Sequence, residues 1–165
     1  MLVLRQERVT LKGGKIGLIS DTHGLVRPQA LAALKGSELI IHAGDIGKPE
    51  VLVALASIAP VVAIKGNNDR GSWASELPDI LAVQVNGVEV CVIHNVNELA
   101  KGAIEGELRA VICGHSHKPG MITREGVLFV NPGSAGPRRF SLPVSVARLK
   151  IQEQDVQAKI LELKL

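Results

Sequence analysis

Short apolar runs that end at glycine or at a polar residue recur along the chain, and they predict β-strands. Such runs cover residues 15–20, 39–43, 61–64 and 111–113. The segments between the first of them, 28–35 and 49–58, each begin with proline and predict short helices. Alternating strands and helices are typical of parallel strands joined by right-handed crossovers, in which function gathers at the carboxyl ends of the strands.

Three pairs of apolar segments also predict hairpins. They are joined across Asn86-Gly87, across Glu125-Gly126 and near residues 153–155. A chain with this many strands and few helices is expected to stack two sheets with helices outside. Three stretches give weaker patterns: residues 70–78, with the only tryptophan, predict a loop; residues 98–107 predict a poor helix with two glycines; and residues 1–14 are either an extra strand or a loose extension.

The composition restricts the class of protein. A length of 165 residues is that of a single domain, predicted here to span residues 1–165. Aromatic residues are only 2% of the chain, so the core is expected to consist of Val, Ile, Leu and Ala. The net charge of +3 and the pI near 9.0 are compatible with anionic partners. Because the basic residues are scattered and stacking residues are scarce, nucleic acid is not expected as a partner except as a nucleotide-type substrate.

The sequence predicts a cytoplasmic protein without membrane association. No apolar run approaches the ~20 residues of a membrane span, and the N-terminus lacks the pattern of a signal peptide. Cys91 and Cys113 both lie in apolar runs, so they are predicted to be reduced and buried rather than joined in a disulfide. Neither belongs to a Cys-x-x-Cys pair, so a cysteine-based zinc site is not expected.

Metal-ligating residue types follow the apolar runs. His115 and His117, one residue apart after Gly114, are the clearest case, although this stretch taken alone is also compatible with a histidine-rich turn. The full set comprises two carboxylates, one amide and four imidazoles: Asp21, His23, Asp45, Asn67, His94, His115 and His117. Mixed oxygen and nitrogen ligands suit Mn, Fe or Zn better than Ca or Mg. Seven ligands exceed one tetrahedral zinc site, so two metal ions are predicted.

These blocks, in this order, resemble the calcineurin-like metallophosphoesterases. The pattern Asp-x-His, Gly-Asp, Gly-Asn-x-Asp, His, Gly-His-x-His runs from Asp21 to His117. The chain length and the Asn-Pro-Gly-Ser at residues 131–134 are most similar to the small YfcE-like branch. The resemblance implies an α/β fold: a four-layer α/β/β/α sandwich of two mixed sheets flanked by helices.

The resemblance also implies the role of each ligand. Asp21, His23 and His117 would bind the first metal, and Asn67, His94 and His115 the second, while Asp45 would bridge the two. The metals would be two divalent ions, with Mn favoured and Fe, Zn or Ni as alternatives. Two such ions stabilise a bridging hydroxide that attacks the phosphorus in line. With only two carboxylates, the site would keep a net positive charge that favours an anionic phosphate.

The predicted catalytic set is Asp45, Asn68 and Asp69, and one member departs from the family. Many relatives carry a histidine at the position of Asn68 that protonates the leaving group, which an amide cannot do. Esters with good leaving groups are therefore the expected substrates. Asp69 is expected to pair with a ligand histidine or with loop backbone. A second departure is Asn95 after His94, where this branch commonly has glycine.

Three further residues, His42, Arg138 and Arg139, have roles outside the predicted ligand set. His42 is expected to be a hydrogen-bonded histidine in the core or behind a ligand, and Arg138 and Arg139 are expected to be a solvated pair, with contact to a substrate phosphate as the alternative. Substrate choice is expected to depend on residues 70–78 and on the region of Arg138.

Two functions remain open at this point. The first is a metal-dependent phosphoesterase, most plausibly a phosphodiesterase, acting on a small phosphate ester. The second is a protein-interaction scaffold on the same fold, similar to the retromer subunit, with metal binding but little catalysis. A homo-oligomer is compatible with either function.

Overall fold

Two mixed β-sheets stack face to face in the computed structural model, which describes the backbone of residues 4–99 and 108–165 and the side chains from residue 7 onward. The elements, in chain order, are β1 (Leu4–Val9), β2 (Lys15–Ile19), α1 (Pro28–Leu34), β3 (Leu39–His42), α2 (Pro49–Ala56), β4 (Val61–Ala63), α3 (Ser72–Ser75), β5 (Ile80–Val85), β6 (Val88–Ile93), a 3-10 turn (Val96–Glu98), β7 (Leu108–Ile112), β8 (Gly120–Arg124), β9 (Val127–Asn131), β10 (Ser145–Gln152) and β11 (Asp155–Glu162). The α/β fold with two mixed sheets and flanking helices is the predicted one.

The first sheet has five strands in the order β11-β10-β2-β3-β4. Its strands β2, β3 and β4 are parallel, and β10 joins β2 in the antiparallel direction. The carboxyl ends of β2, β3 and β4 therefore lie along one edge of this sheet.

The second sheet has six strands in the order β1-β5-β6-β7-β9-β8. Its hairpins β5–β6 and β8–β9 turn at the predicted Asn86-Gly87 and Glu125-Gly126. Strand β1 pairs in parallel with β5 at the edge, so residues 4–9 form the extra strand that was one of two expectations for the N-terminal stretch. Strands β6 and β7 are parallel, and their carboxyl ends bring His94 and the histidine pair to the same edge.

Alternating side chains of the strands form separate hydrophobic layers. Ile16 and Leu18 of β2 face the second sheet and pack with Val90 and Ile112. Ile19 of β2 points the other way and packs in a cluster with Leu34 of α1 and Leu55 of α2. A third cluster, which includes Cys91 and Val96, lies on the outer face of the six-stranded sheet. The sheets thus hold the strand ends in a fixed frame.

The two main helices begin as the sequence predicts. Each of α1 and α2 has proline in its first turn, and Lys35 and Gly36 follow the end of α1. Gly36 has a φ of +90°, which favours glycine and ends the helix. One short helix was missed, because α3 lies within residues 70–78, which were predicted to be a loop.

Other expectations can also be compared with the structure. The helix predicted at residues 98–107 falls largely on residues 100–107, which lie outside the described residues. Cys91 and Cys113 are free and buried, as predicted, and burial raises the pKa of each thiol to about 11. Within the described parts of the chain, no helix has the length and apolar character needed to cross a membrane.

Candidate metal centre

The predicted ligand residues follow five strand ends at one edge of the sandwich. Asp21 comes after β2 and Asp45 after β3, while Asn67 follows β4. His94 directly follows β6, and His115 and His117 follow β7. Since the first three strands are adjacent in one sheet and the last two are adjacent in the other, their loops meet across the stacked sheets.

The backbone at these strand ends adopts an unusual conformation. Left-handed φ values of 46–72° occur at five of the predicted ligands, namely Asp21, His23, Asp45, His115 and His117. Side chains other than glycine rarely adopt such φ values, and this strain persists only where the surrounding structure holds it. Clusters of such residues are characteristic of functional sites.

Backbone hydrogen bonds hold the first two loops together. The N–H groups of Asp21, His23 and Gly24 donate to the carbonyl oxygens of Gly44, Asp45 and Ile46, at 3.0, 3.0 and 2.7 Å. The loops after β2 and β3 therefore continue side by side beyond the sheet. This pairing places both carboxylates in one small volume.

Three imidazole and two carboxylate groups face one another at short range. The Nε2 atoms of His23, His94 and His117 lie 3.9, 3.8 and 3.4 Å from Oδ1 of Asp21. Oδ2 of Asp45 lies 3.2 Å from Nε2 of His94 and 3.8 Å from Nε2 of His23. The ligand atoms form two groupings within 4.8 Å: Asp21 with His23 and His117, and Asp21 with Asp45 and His94.

Buried polar atoms without partners lie at the centre of this arrangement. Oδ1 of Asp21 and the Nε2 atoms of His23 and His94 are buried and make no hydrogen bond. Leaving such groups unsatisfied costs free energy, so their presence in a native site calls for a bound ion or a functional role. The donor set of carboxylates and imidazoles fits a divalent metal ion. The chain therefore carries candidate divalent metal sites at this edge.

The first grouping contains the three residues assigned to the first metal by resemblance. The second differs in composition from the set assigned to the second metal, because it joins His94 to both carboxylates. Asn67 is exposed in the turn after β4, and the ring of His115 is exposed but lies edge-on to His94 with 5.3 Å between ring centroids. The ligand roles of Asn67 and His115 remain predictions.

The surroundings raise the pKa of the Asp21 carboxyl and lower the pKa of the Asp45 carboxyl. Burial raises the pKa of Asp21, although His94 and the hydroxyl of Ser20 oppose this effect. Burial also acts to raise the pKa of Asp45, but the nearby imidazole of His94 and the backbone N–H of Asn68, which donates to the carboxylate, outweigh it and lower the pKa. The lowered pKa keeps Asp45 ionised and able to bind a cation at neutral pH.

Neighbouring groups fix the orientation and the protonation of the imidazoles. Nδ1 of His94 lies 2.7 Å from the carbonyl oxygen of Ala43 and donates to it, which leaves Nε2 free to act as a ligand. His23 and His117 stack with 5.4 Å between their ring centroids. Burial lowers the pKa of His117, and the charge of Arg139 contributes to the same direction. A neutral imidazole is the form that binds metal.

Asp69 holds the loops that carry other site residues. Its carboxylate accepts hydrogen bonds from the N–H groups of Ile46, Gly47 and Gly66, at 3.1, 2.9 and 2.9 Å. This is the loop-backbone contact that was one of two expectations for Asp69. Its side chain thereby ties the loop after β3 to the loop after β4.

His42 is a buried histidine, as expected, with a defined set of hydrogen bonds. Its Nδ1 accepts from the N–H of Gly44 at 3.1 Å, and its Nε2 lies 3.0 Å from Oγ1 of Thr22. Because the hydroxyl of Thr22 donates to the carbonyl oxygen of Ile46 at 2.8 Å, Nε2 of His42 must carry the proton. The imidazole thus connects the loops after β2 and β3.

Several supporting residues were missed by sequence reasoning. The hydroxyl of Ser20 donates to Oδ2 of Asp21 at 2.8 Å, and the hydroxyl of Ser134 donates to the carbonyl oxygen of Asp21 at 3.0 Å. Nδ2 of Asn131 donates to the carbonyl oxygen of Gly114 at 3.0 Å. The only sequence signal for Ser134 and Asn131 was the Asn-Pro-Gly-Ser turn. It predicted a turn near the same rim but not which residues these side chains contact.

Comparisons with known proteins agree with this geometry. Residues 15–154 match the calcineurin-like phosphoesterase superfamily domain. A probable metallophosphoesterase from Methanothermobacter thermautotrophicus is 34% identical over 158 residues, covering 88% of this chain and 91% of that protein.

Solved structures of related fold fall into two groups. One group contains an archaeal phosphodiesterase, with a TM-score of 0.71 and 23% identity, covering 89% of this chain and 99% of that chain. The same group contains the phosphoesterase YfcE from E. coli, with a TM-score of 0.65 and 20% identity, covering 91% of this chain and 100% of that chain. The other group contains Vps29 from Chaetomium thermophilum, with a TM-score of 0.72 and 17% identity, covering 92% of this chain and 97% of that chain. At these identities the structures establish the fold, while the domain match and the sequence relative establish the family. This chain therefore belongs to the calcineurin-like phosphoesterase superfamily.

Proposed function

We propose that this protein is a dinuclear metal-dependent phosphodiesterase that acts on phosphate esters with good leaving groups. The observation that carries the proposal is the set of three buried, unpartnered atoms at the strand ends: Oδ1 of Asp21 and Nε2 of His23 and His94. The two Nε2 atoms lie 3.9 and 3.8 Å from Oδ1 of Asp21, and the sheets hold the backbone of these residues in place. The name of the archaeal structural neighbour supports a diester as the substrate class.

The proposed ligand sets are those implied by the resemblance. Asp21, His23 and His117 hold the first ion, and Asn67, His94 and His115 hold the second. Asp45 would be shared by both ions, a role supported by its Oδ2, which lies 3.8 Å from Nε2 of His23 and 3.2 Å from Nε2 of His94. When bound, a pair of divalent ions supplies the attacking hydroxide and neutralises charge on the phosphate. Manganese is the proposed ion, with Fe, Zn or Ni as alternatives.

The protein's own groups orient the site and stabilise its charges. Asn68 holds Asp45 through two hydrogen bonds, and His94 is fixed by the carbonyl oxygen of Ala43. The charge of Arg139 contributes to the lowered pKa of His117, and the same charge would favour the approach of an anionic phosphate. No histidine follows Asn67, which leaves the departing oxygen without the general acid that many relatives have.

The test is hydrolysis of bis(p-nitrophenyl) phosphate by metal-stripped protein after Mn²⁺ is added back. Activity is expected to return with the metal, and Asp45→Ala and His117→Ala are each expected to abolish most of it. Asp155→Ala, at the exposed first residue of β11, is the matched control and should retain wild-type activity. Full activity of Asp45→Ala, or no activity of the wild type with any divalent metal, would overturn the proposal.

A scaffold function remains the second candidate, because Asn68 removes the general acid and because Vps29 proteins share the fold. On that alternative, the protein binds metal with normal stoichiometry but hydrolyses no diester. The same experiment separates the two functions, provided that metal content is measured on every sample.

A further inference from the structure

A basic cavity of about 330 Å³ lies on the outer face of the five-stranded sheet, next to the end of α1. Five cationic side chains line it, and no aspartate or glutamate does: Lys15, Lys35, Arg148, Lys150 and Lys159. Lys15 begins β2 and Asp21 follows the other end of that strand. The cavity is therefore separated from the candidate metal centre by about 20 Å, the length of six extended residues.

The strand register places these cations directly opposite one another. Lys15 on β2 faces Lys150 on β10, and Arg148 on β10 faces Lys159 on β11. Arg148 and Lys150 are two residues apart, so both pairs lie on the same face of the sheet. Like charges in directly opposite positions destabilise a sheet. Two such pairs side by side in a concave surface are unexpected unless an anion offsets their repulsion.

Contacts within the protein offset the positive charge of only some of these cationic side chains. The guanidinium of Arg148 donates to the carbonyl oxygen of Ala33 from Nε at 3.1 Å and from Nη2 at 2.6 Å, which satisfies the end of α1. Lys35 follows the same helix end, where a cation is favoured. Glu38 lies near Lys15, but its carboxylate accepts N–H groups of Gly13 and Lys15.

The other two lysines of the cavity lack an acidic partner. Among the described residues, no aspartate or glutamate lies within ion-pair distance of Lys150 or Lys159, whereas Lys65, away from this cavity, lies 3.7 Å from Asp79. Lys150 and Lys159 are exposed to solvent and line the cavity. Their charges are thus available to a bound anion.

We propose that this cavity binds a small molecule that carries several linked phosphate groups, at a site separate from the metal centre. The volume is that of a small-molecule site rather than of an extended surface. Its lining contains no aromatic side chain on which a base could stack, which disfavours single-stranded nucleic acid. Several cations converging from three elements match the dense negative charge of a polyphosphate.

The first measurement is calorimetric titration of the metal-loaded protein with tripolyphosphate. The wild type is compared with Lys150→Gln/Lys159→Gln and with the control Arg124→Gln/Lys164→Gln, which removes two exposed cations outside the cavity. Any binding at the metal centre is common to all three proteins, so differences report on the cavity. The cavity variant is expected to bind at least about tenfold more weakly, because two charges near the anion are lost. The control should stay within about twofold of the wild type.

The second measurement shows whether the cavity variant is folded and where the anion binds. Because the variant relieves both opposed pairs, it should melt at the wild-type temperature or above it. Tripolyphosphate should raise the melting temperature of the wild type and the control by more than that of the cavity variant. Equal affinity of all three proteins would overturn the proposal. So would cavity-dependent binding of a single-stranded RNA or of anionic phospholipid vesicles without binding of tripolyphosphate.

Discussion

Asn68 holds both oxygens of Asp45. Its backbone N–H donates to Oδ1 at 2.9 Å, and its side-chain Nδ2 donates to Oδ2 at 3.2 Å. Oδ2 is also the atom that faces Nε2 of His94 at 3.2 Å. The residue that replaces the proton-donating histidine of many relatives therefore orients the carboxylate that is proposed to bridge the metals.

The first prediction concerns the leaving group. Since Asn68 cannot supply a proton, the rate of ester hydrolysis should fall steeply as the leaving group becomes more basic. Asn68→His should flatten this dependence, and its gain on poor leaving groups should be at most the roughly 10²–10⁴-fold that general acids contribute. The measurement is kcat for a series of aryl and alkyl phosphodiesters. Equal rates for alkyl and aryl esters in the wild type, with chemistry rate-limiting, would contradict the prediction.

A second prediction concerns Asp69, which accepts three backbone N–H groups from two loops of the site. Asp69→Asn replaces one acceptor oxygen by an NH₂ group that faces a donor, so the variant should lose about 1–3 kcal/mol of unfolding free energy. It should also lose most phosphodiesterase activity, because the loops that carry Asp45 and Asn67 are no longer tied together. Urea denaturation and kcat are the measurements.

Asp79→Asn provides the matched control for Asp69. Asp79 is a half-exposed aspartate whose oxygen lies 3.7 Å from Nζ of Lys65. Exposed ion pairs contribute about 0–1 kcal/mol, so this variant should remain close to the wild type in stability and activity. If both aspartate variants behave alike, the positioning role of Asp69 is wrong.

A third prediction separates the two histidines after Gly114. The Nε2 of His117 faces Oδ1 of Asp21 at 3.4 Å, whereas the ring of His115 lies against His94. His117→Ala should therefore empty mainly the first metal site, and His115→Ala mainly the second. Metal analysis after dialysis is expected to give about one ion for each variant and about two for the wild type.

Double variants distinguish the two metal sites further. The ion that remains in His115→Ala should be the one held by Asp21, His23 and His117, so adding His23→Ala should remove it. Adding His23→Ala to His117→Ala should have little further effect. The same loss of both ions from either single variant would show that the two sites are not separable.

The sequence was sufficient to predict the strands and the edge at which the ligand residues meet. Apolar runs specify buried strands, and parallel strands bring their carboxyl ends to one edge whatever the details of packing. Asp21, Asp45, His94 and His117 come together for this reason. Helix α3 was missed because a four-residue helix has too few positions for a period to appear.

The hydrogen bonds that support the site were much harder to predict. Asn68 and Asp45 are 23 residues apart, and Ser134 and Asp21 are 113 apart. Such contacts depend on how two sheets pack, which no local pattern encodes. The left-handed backbone at Asp21 and His117 was also invisible, because neither residue is glycine and only the surrounding structure makes that conformation tolerable.

The last prediction concerns the dependence of stability on pH. Burial is the main reason that the pKa of His42 falls from 6.5 to about 3, and its two ring nitrogens are already used in the neutral form. The unfolded chain takes up a proton below pH 6.5 that the folded chain excludes, so His42 lowers stability as the pH falls from 6.5 towards 3. The slope for one such proton is about 1.4 kcal/mol per pH unit. Above pH 6.5 the residue should have no effect on the slope.

His42→Gln tests this prediction, because glutamine lacks the titrating ring whatever its own effect on stability. The free energy of unfolding of metal-free protein is measured in urea from about pH 7 to about pH 5. Below about pH 6, the wild type should lose about 1.4 kcal/mol per pH unit more than the variant, and the two curves should become parallel as the pH rises above 6.5, since all other titrating groups are common to both proteins. Parallel curves over the whole range would mean that His42 takes up its proton in the folded state. The hydrogen bond between Nδ1 of His42 and the N–H of Gly44 would then have to break at ordinary acidic pH.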